Sequence, residues 1–357
     1  MTAIPNPPLI SCPSSLVASC APLLGFTPRD CVVVMIHEVP GRDWPVLVRL
    51  DRPEPGMTSA AGALASSVHR TGGLAVDIVA WLDAPDGSVR DDLPMTNWLS
   101  ELTGELDRLG VEVAECLSTN GRVWWSHACL DPLCCPEQAT ALDQEVMTSV
   151  QAEFVYAGYA PMASREAVAA RLARDEPRAS RVAASLSGRR RPSRVERWRD
   201  AEIEWLDDLL LPPDGRPPAK AAGLTAAAAA RLHMALADIR VRDTVLRRVA
   251  IAERACPMCW AETIETLCDA VRCAPEGAGA PAATFLALIA WLDGEGALAT
   301  IALDRAFEDD PSYSLADLAH RLIVGGTDPR TWQSSLAGLS EAACRNGQDE
   351  PSTSQPC

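Results

Sequence analysis

The stretch CVVVMI at residues 31–36 decides the fold of the first half of the chain. It is a short apolar run without a charged side chain, and it is rich in β-branched residues. Such a run predicts a β-strand that is buried on both faces of a sheet. A helical pattern at residues 14–24, stopped by Gly25, precedes it, and another at 58–70 follows it.

Further strands and helices alternate along the first 175 residues. Residues 46–50 alternate around Arg49 and can pair with the first strand as a hairpin. Asn120-Gly121 predicts a tight turn between two later strands. The other elements are strands at 73–82, 111–117 and 122–126 and helices at 94–109, 143–156 and after the cap Ser164. This alternation predicts an α/β domain with a mixed sheet over residues 1–175.

The β signal disappears from residue 176 onward. Helices are predicted at 178–211 with a break at 187–192, from the cap Thr225 to about 255, and at 258–273, 281–292, 296–308, 314–323 and 329–336. We therefore predict an all-α domain over residues 176–340. The polar residues 341–357 predict a disordered tail.

One helix pair in this half, residues 283–311, has the spacing of a helical repeat. The matching positions are Leu286, Ala287, Ala290, Gly294, Ala299, Leu303, Ala306 and Pro311. The pair is similar to a single tetratricopeptide repeat, with Gly294 at the turn. A stable solenoid needs about three or more repeats, so we favour a helical hairpin within a compact bundle.

Charge and hydropathy exclude two classes of partner. The 357 residues carry a formal net charge of −16, which repels nucleic acid and anionic lipid. No stretch reaches the roughly 18 uncharged apolar residues of a membrane span. We therefore expect neither nucleic-acid binding nor insertion into a membrane.

The cysteine content indicates a reducing compartment. Thirteen cysteines is an odd number, so they cannot all pair within one chain. The first 28 residues contain neither Lys nor Arg, and prolines interrupt the segment before Cys20, so no export signal is predicted. We expect a cytoplasmic protein with reduced thiols.

The segment GRVWWSHACLDPLCCP at residues 121–136 concentrates these thiols. Cys129, Cys134 and Cys135 lie within seven residues, shortly after His127. Zinc prefers four thiolate or imidazole ligands arranged as a tetrahedron. No cofactor is predicted for this chain, but a zinc ion held by these three thiols and His127 stays open as an alternative.

The geometry of this segment leaves three interpretations. Neighbouring side chains such as those of Cys134 and Cys135 usually point apart, but a turn at Asp131-Pro132 can bring Cys129 back toward one of them. The result is either a reducible disulfide or a partial metal site, with no clear fourth ligand nearer than Cys116. The third interpretation, which we favour, is a structural corner packed beneath the tryptophan pair.

The same segment identifies a family. Together with LLGFTPRDCVVVMI at residues 23–36 and VRLDRP at 48–53, the Trp-Trp…Cys…Cys-Cys-Pro string resembles a bacterial domain of unknown function, family 4192. The resemblance covers most of the chain. The family has no established activity, so the resemblance implies a fold and no mechanism.

A second cysteine motif lies among the predicted helices. Cys256-Pro257-Met258-Cys259 is a CxxC, followed by Cys268 and Cys273. Thiol oxidoreductases place this motif after a strand, which is absent from this region of the sequence. Along a helix, Cys268 would lie about 13 Å from Cys259, too far to share one zinc ion. We expect buried cysteines that act as small hydrophobes.

A basic cluster surrounds Trp198. Its arginines are Arg189, Arg190, Arg191, Arg194, Arg197 and Arg199. The cluster can receive a phosphate, an acidic partner or a single nucleic-acid strand stacked on Trp198. Acidic residues interleave with it, however, so a solvated helix start with salt bridges is the interpretation that we favour.

The sequence contains no phosphate-binding Gly-rich loop, no GxSxG and no HExxH, and it predicts no catalytic residues. The leading hypothesis is therefore a non-enzymatic binding or regulatory module that acts through contacts with a partner protein. The first alternative is an enzyme or small-molecule sensor with a pocket at the strand ends, near residues 27–30, His37 and Asp51. The second is a thiol or zinc-based sensor that uses Cys129, Cys134 and Cys135.

Overall fold

The structure is a computed structural model that describes residues 12–40, 45–54, 58–129, 131–189, 193–211, 223–252 and 258–346. The chain divides into two compact units, Met1–Ala167 and Val168–Cys357. The first unit contains a mixed six-stranded sheet, and all described secondary structure of the second unit is helical. Both findings confirm the predicted fold class. None of the described helices is long and apolar enough to cross a membrane.

The first unit alternates strands and helices in the order that its sequence predicts. The strands are β1 Cys31–His37, β2 Val46–Asp51, β3 Ala75–Trp81, β4 Glu112–Thr119, β5 Val123–Ser126 and β6 Thr140–Ala141. The helices are α1 Pro13–Leu24, α2 Thr58–Arg70, α3 Thr96–Arg108, α4 Gln144–Tyr156 and α5 Arg165–Ala170, which crosses the boundary between the units. The strand order in the sheet is β2-β1-β3-β4-β5-β6.

The directions of the strands determine which strand ends lie at the same edge of the sheet. β1 runs antiparallel to both of its neighbours, β2 and β3, whereas β3 and β4 are parallel. β5 is antiparallel to β4. We call the edge at which β1 ends and β3 and β4 begin the lower edge. β5 also runs toward this edge, so the segment after Ser126 belongs to it.

Both faces of the sheet are covered, as the apolar run at residues 31–36 predicts. Val32, Val34 and Ile36 pack in one core with residues of α2 and α3, such as Val68 and Leu102. We call this side the α2–α3 face. The alternate residues of the strand, including Val33, pack in the other core with α1 and the residues around α4. That side is the α1–α4 face, and the alternation follows from the period of two in a strand.

The second unit is a bundle of helices around one central helix. Its helices are α6 Glu176–Ser187, α7 Val195–Leu210, α8 Ala226–Leu236, α9 Ile239–Ile251, α10 Met258–Arg272, α11 Ala280–Asp293, α12 Gly296–Asp309, α13 Ser314–Val324, α14 Pro329–Gly338 and α15 Glu341–Asn346. Every residue of α11 from Ala282 to Trp291 is buried, and six helices contact it. A helix that is apolar on all sides is typical of a bundle core.

The repeat-like helix pair forms the hairpin that the sequence predicts. α11 packs along α12, and Gly294 joins them with a φ of 94°, a conformation that glycine adopts without strain. Ala287 and Ala299 are fully buried. Because α11 is enclosed within the bundle, the pair has the environment of a compact domain.

Two sequence expectations in this unit differ from the structure. The helix predicted from Thr225 to about 255 is two helices, because Asp238 interrupts it and caps α9. The carboxylate of Asp238 binds Arg199 of α7. The tail predicted from residue 341 begins with α15, whose Glu341 pairs with Arg248. Residues 347–357 lie outside the described residues.

Candidate functional site

The segment that follows β5 folds into a tight turn that carries two of the three clustered cysteines. The carbonyl oxygen of Asp131 accepts hydrogen bonds from the backbone N–H groups of Cys134 at 3.1 Å and Cys135 at 2.7 Å. The carboxylate of Asp131 accepts a third bond, 2.9 Å long, from the N–H of Leu133. Asp-Pro at the start of a turn favours this arrangement, because Asp bonds its own backbone and proline restricts φ.

This turn brings the three thiols together, and we call it the thiol turn. The sulfur atoms of Cys129, Cys134 and Cys135 all lie within 4.8 Å of one another. The sulfurs of Cys134 and Cys135 are 3.9 Å apart. Zn–S bonds of about 2.3 Å in a tetrahedron hold sulfurs about 3.8 Å apart, so this spacing fits a thiolate-bound ion. The backbone N–H of Cys129 is fixed by Ser126 Oγ at 3.0 Å, which ties the cluster to the end of β5.

The three thiols differ in exposure and in acidity. Cys134 is exposed, and the other two are half-buried. Hydrogen bonds from the backbone of Asp131 and from the thiol of Cys135 lower the pKa of Cys129. Burial, together with both neighbouring thiols, raises the pKa of Cys135 to about 11. Cys129 is therefore the more acidic thiol of this pair.

His127 does not join the three sulfurs. Its Nε2 atom lies 2.8 Å from Ser118 Oγ, and burial, helped by the charge of Arg90, lowers its pKa to about 4. Its backbone N–H bonds the carbonyl of Cys116, so His127 extends the ladder of β5. The sequence offered three thiols and one imidazole as ligands, and the structure brings together the three thiols without the imidazole.

Cys116, the next thiol that the sequence offered, is also unsuitable as a fourth ligand. It is fully buried in the core of the α2–α3 face, and burial raises its pKa to about 12. Three protein ligands leave a fourth position for water or another ligand, and such an open site is typical of exchangeable or reactive metal ions. The exposure of Cys134 gives solvent access to that position.

The tryptophan pair divides between the two faces of the sheet. Trp125 is 1% exposed on the α2–α3 face, and its indole N–H donates to the carbonyl of Ser88 at 2.9 Å. Trp124 packs in the core of the α1–α4 face. The pair anchors β5 on both sides, which accounts for the Trp-Trp dipeptide by packing.

A second polar cluster at the lower edge includes residues that sequence reasoning missed. His37, at the end of β1, places Nε2 2.7 Å from Oδ2 of Asp77, whose side chain is 7% exposed. The chain approaches closely here, since a Cβ atom on Gly73 would lie 2.9 Å from the carbonyl oxygen of His37. The signal in the sequence was the single carboxylate within the otherwise apolar strand β3, AVDIVAW.

Glu115 lies beside this pair on the neighbouring strand. A register shift between Val76 and Asp77 pairs Asp77 with Glu115 across the parallel strands. Both carboxylates occupy the alternation positions of the α1–α4 face. Burial, and secondarily the charge of Asp77, raises the pKa of Glu115. Bulges of this kind often re-aim side chains near functional sites.

The strand-end residues proposed from the sequence do not meet. Cys31 pairs with Asp51 and Ile36 with Val46, so His37 and Asp51 lie at opposite edges of the sheet. Asp30, next to β1, instead contacts Arg52 at 3.0 Å on the edge of Asp51. The antiparallel pairing of β1 and β2 separates the two positions. The prediction of one pocket near both His37 and Asp51 is therefore wrong.

The two cysteines that follow the CxxC motif are buried. Cys268 and Cys273 are 3% and 0% exposed, and burial raises their pKa values to about 12 and about 11. These values fit thiols that act as small hydrophobes. Cys256 lies outside the described residues, as does the side chain of Cys259.

Two arginines of the basic cluster, Arg189 and Arg199, make contacts within the second unit. Arg199 bonds Asp238 and Glu196, and Arg189 donates to the carbonyl of Ala227. Trp198 is 8% exposed and has no face open for stacking on a base. Arg190 and Arg191 lie outside the described residues.

The chain matches one protein-family model. Comparison with curated proteins and with solved structures gives no match. A family model described as Domain of unknown function (DUF4192) matches residues 13–330, which include the sheet, the thiol turn and most of the helical unit. The chain therefore belongs to the family of proteins that contain this domain of unknown function.

Proposed function

We propose that the protein is a thiol-based metal sensor that binds Zn²⁺, or a similar thiophilic divalent cation, through Cys129, Cys134 and Cys135. The observation that carries the proposal is the distance of at most 4.8 Å between any two of the three sulfurs. This function develops the zinc alternative of the sequence analysis.

Three features support this assignment over a purely structural corner. A packed corner would bury its thiols, whereas Cys134 is exposed. The pKa of Cys129 is lowered, which favours the thiolate that a metal requires. The turn on Asp131 holds the adjacent Cys134 and Cys135 through backbone bonds, and this order lowers the entropic cost of binding.

The proposal places the protein in the reducing cytoplasm of a bacterium. All ten of the cysteines that the structure describes are free thiols. Metal binding requires that state, since each ligand must be a deprotonated thiol. The net charge of −16 favours a cation as ligand and disfavours nucleic acid.

The test is metal binding by the full chain. The protein is purified with reductant, its zinc content is measured, and it is titrated with Co²⁺, whose absorption reports thiolate coordination. We expect about one equivalent per chain, lost in the triple variant with Cys129, Cys134 and Cys135 changed to Ser. Cys344→Ser removes a half-buried thiol elsewhere and should leave binding unchanged. Wild-type protein without thiolate-to-Co²⁺ absorption would refute the proposal.

One observation favours the protein-contact function as a second candidate. Leu133 lies between Asp131 and Cys134 in the thiol turn, and its apolar side chain is 96% exposed. We propose that a partner with an apolar pocket recognises Leu133. A photo-crosslinking residue at position 133 should capture one discrete partner, and the same residue at exposed Glu112 should not. Equal labelling from both positions would contradict this.

A further inference from the structure

We infer that the thiol turn is also an oxidation site for hydroperoxides: Cys129 and Cys134 form a disulfide there, which releases the metal ion. The disulfide step stands on the geometry of the metal-free turn. The release of metal rests on the proposed function.

Accessibility distinguishes the thiol turn from the buried thiols of the chain. Cys20, Cys116, Cys268 and Cys273 are buried, and burial raises the pKa values of all four. In the thiol turn, Cys134 is exposed and Cys129 is half-buried. Peroxides react with accessible thiols, so oxidation is directed to this turn.

The partner of Cys129 is selected by accessibility. Cys134 is exposed, and its sulfur lies within 4.8 Å of that of Cys129. Cys135 is equally near, but it is half-buried. Adjacent cysteines such as 134 and 135 rarely bond, because neighbouring side chains diverge. A bond between Cys129 and Cys134 needs only a local adjustment of the turn.

The reaction balances in two steps. The thiolate of one cysteine of the pair attacks one oxygen of a hydroperoxide ROOH, so an S–O bond forms and the O–O bond breaks. The products are a sulfenic acid on that cysteine and ROH, which takes up a proton. The thiolate of the other cysteine then attacks the oxidised sulfur and expels hydroxide, which leaves as water with the proton from the second thiol. One hydroperoxide is reduced, and two thiols become one disulfide.

Oxidation and metal binding then exclude each other. The disulfide removes two of the three ligand sulfurs, and a single thiolate cannot retain the ion. A bound metal in turn occupies the lone pairs of Cys129 and slows its attack on peroxide. The turn would thus report peroxide as metal release and as a change in the surface around Leu133, which is exposed beside Cys134.

The experiment treats the reduced full chain with hydrogen peroxide, with and without bound Zn²⁺. In the metal-free chain we expect a mass loss of two hydrogen atoms and a disulfide mapped to Cys129 and Cys134. Cys134→Ser should stop at a sulfenic acid on Cys129 that dimedone traps. Cys135→Ser should still form the disulfide, and Cys344→Ser should behave as wild type.

The outcomes separate this inference from the proposed function. Disulfide formation in a chain that binds no metal would refute the metal sensor and keep the oxidation site. Metal binding without a disulfide, or a disulfide that excludes Cys129 or Cys134, would overturn the inference. In the Zn²⁺-loaded chain we expect release of about one equivalent of zinc per disulfide, measured with a chromogenic chelator. Retention of zinc after complete oxidation would overturn the release step.

Discussion

The Nε2 atom of His37 lies 2.7 Å from the Oδ2 atom of Asp77, and this contact ties the end of β1 to a buried carboxylate on β3. The side chain of Asp77 is 7% exposed, so few water molecules can replace the imidazole. A carboxylate in this position depends on its hydrogen-bond partner. The contact therefore links strand pairing at the lower edge to stability.

The first prediction concerns this pair. His37→Ala should lower the free energy of unfolding by about 1.5–3 kcal/mol, because it leaves the Asp77 carboxylate without its imidazole partner. Arg52→Ala, which breaks the exposed pair with Asp30, should cost less than about 1 kcal/mol. Urea unfolding followed by tryptophan fluorescence measures both. Equal effects of the two variants would contradict the prediction.

The second prediction follows from the raised pKa of Glu115. A carboxyl group with a raised folded-state pKa binds its proton more tightly in the folded chain, so its contribution is favourable at low pH and is lost as the pH rises through that pKa. Glu115→Gln should therefore be more stable than the wild type at neutral pH, and the difference should vanish toward pH 4. Glu112→Gln, an exposed carboxylate on the same strand, controls for charge removal. Thermal unfolding across this range is the measurement.

The third prediction concerns His127, whose pKa is lowered to about 4, chiefly by burial. The unfolded chain takes up a proton near the ordinary value of 6.5, before the folded chain does. The contribution of His127 to the free energy of unfolding is thus fully present above pH 6.5 and falls as the pH drops from 6.5 toward 4. His127→Gln should flatten this dependence, as followed by urea midpoints. A dependence as steep as in the wild type would contradict it. His69→Gln removes an exposed imidazole and is the control.

The fourth prediction concerns Asp238 in the helical unit. It caps α9 through the N–H groups of Arg240 and Val241, and its carboxylate binds Arg199. Asp238→Asn keeps a capping side chain and should lose about 1.5–3 kcal/mol from the charged bond. Asp238→Ala should lose about 1 kcal/mol more.

Asp328, which caps α14, provides the comparison for Asp238. Asp328→Ala removes a cap at a more exposed position and should cost about 1 kcal/mol. Denaturant unfolding of the three variants compares Asp238, which caps one helix and binds an arginine of another, with Asp328, which caps α14. If Asp238→Asn were as stable as the wild type, the bond to Arg199 would contribute nothing.

Helix and strand positions followed from the sequence because their signals are local. Gly25, with a φ of 79°, ends α1, and Asp143 caps α4 through two backbone N–H groups. Such interactions span a few residues, and the chemistry of each residue reveals them. Asp238 shows the limit of this reasoning. Its partner Arg199 is distant in sequence, so the alanine-rich pattern alone predicted a continuous helix.

Strand neighbours could not be obtained in the same way. The sequence predicts a pairing of β1 with β2, but β1 also pairs with β3 along its whole length. That pairing brings His37 to Asp77, and the parallel pairing of β3 with β4 adds Glu115. These residues are far apart in the chain, and local periodicity contains no information on which strands meet.

The thiol turn shows both sides of this division. The sequence by itself placed Cys129, Cys134 and Cys135 within seven residues and predicted a turn at Asp131-Pro132 that can bring Cys129 toward one of the other two. The structure brings all three sulfurs together. Only the tertiary structure decided that His127 stays apart. His127 continues the ladder of β5, and the alternation of a strand directs its side chain to Ser118 on the face that Trp125 occupies.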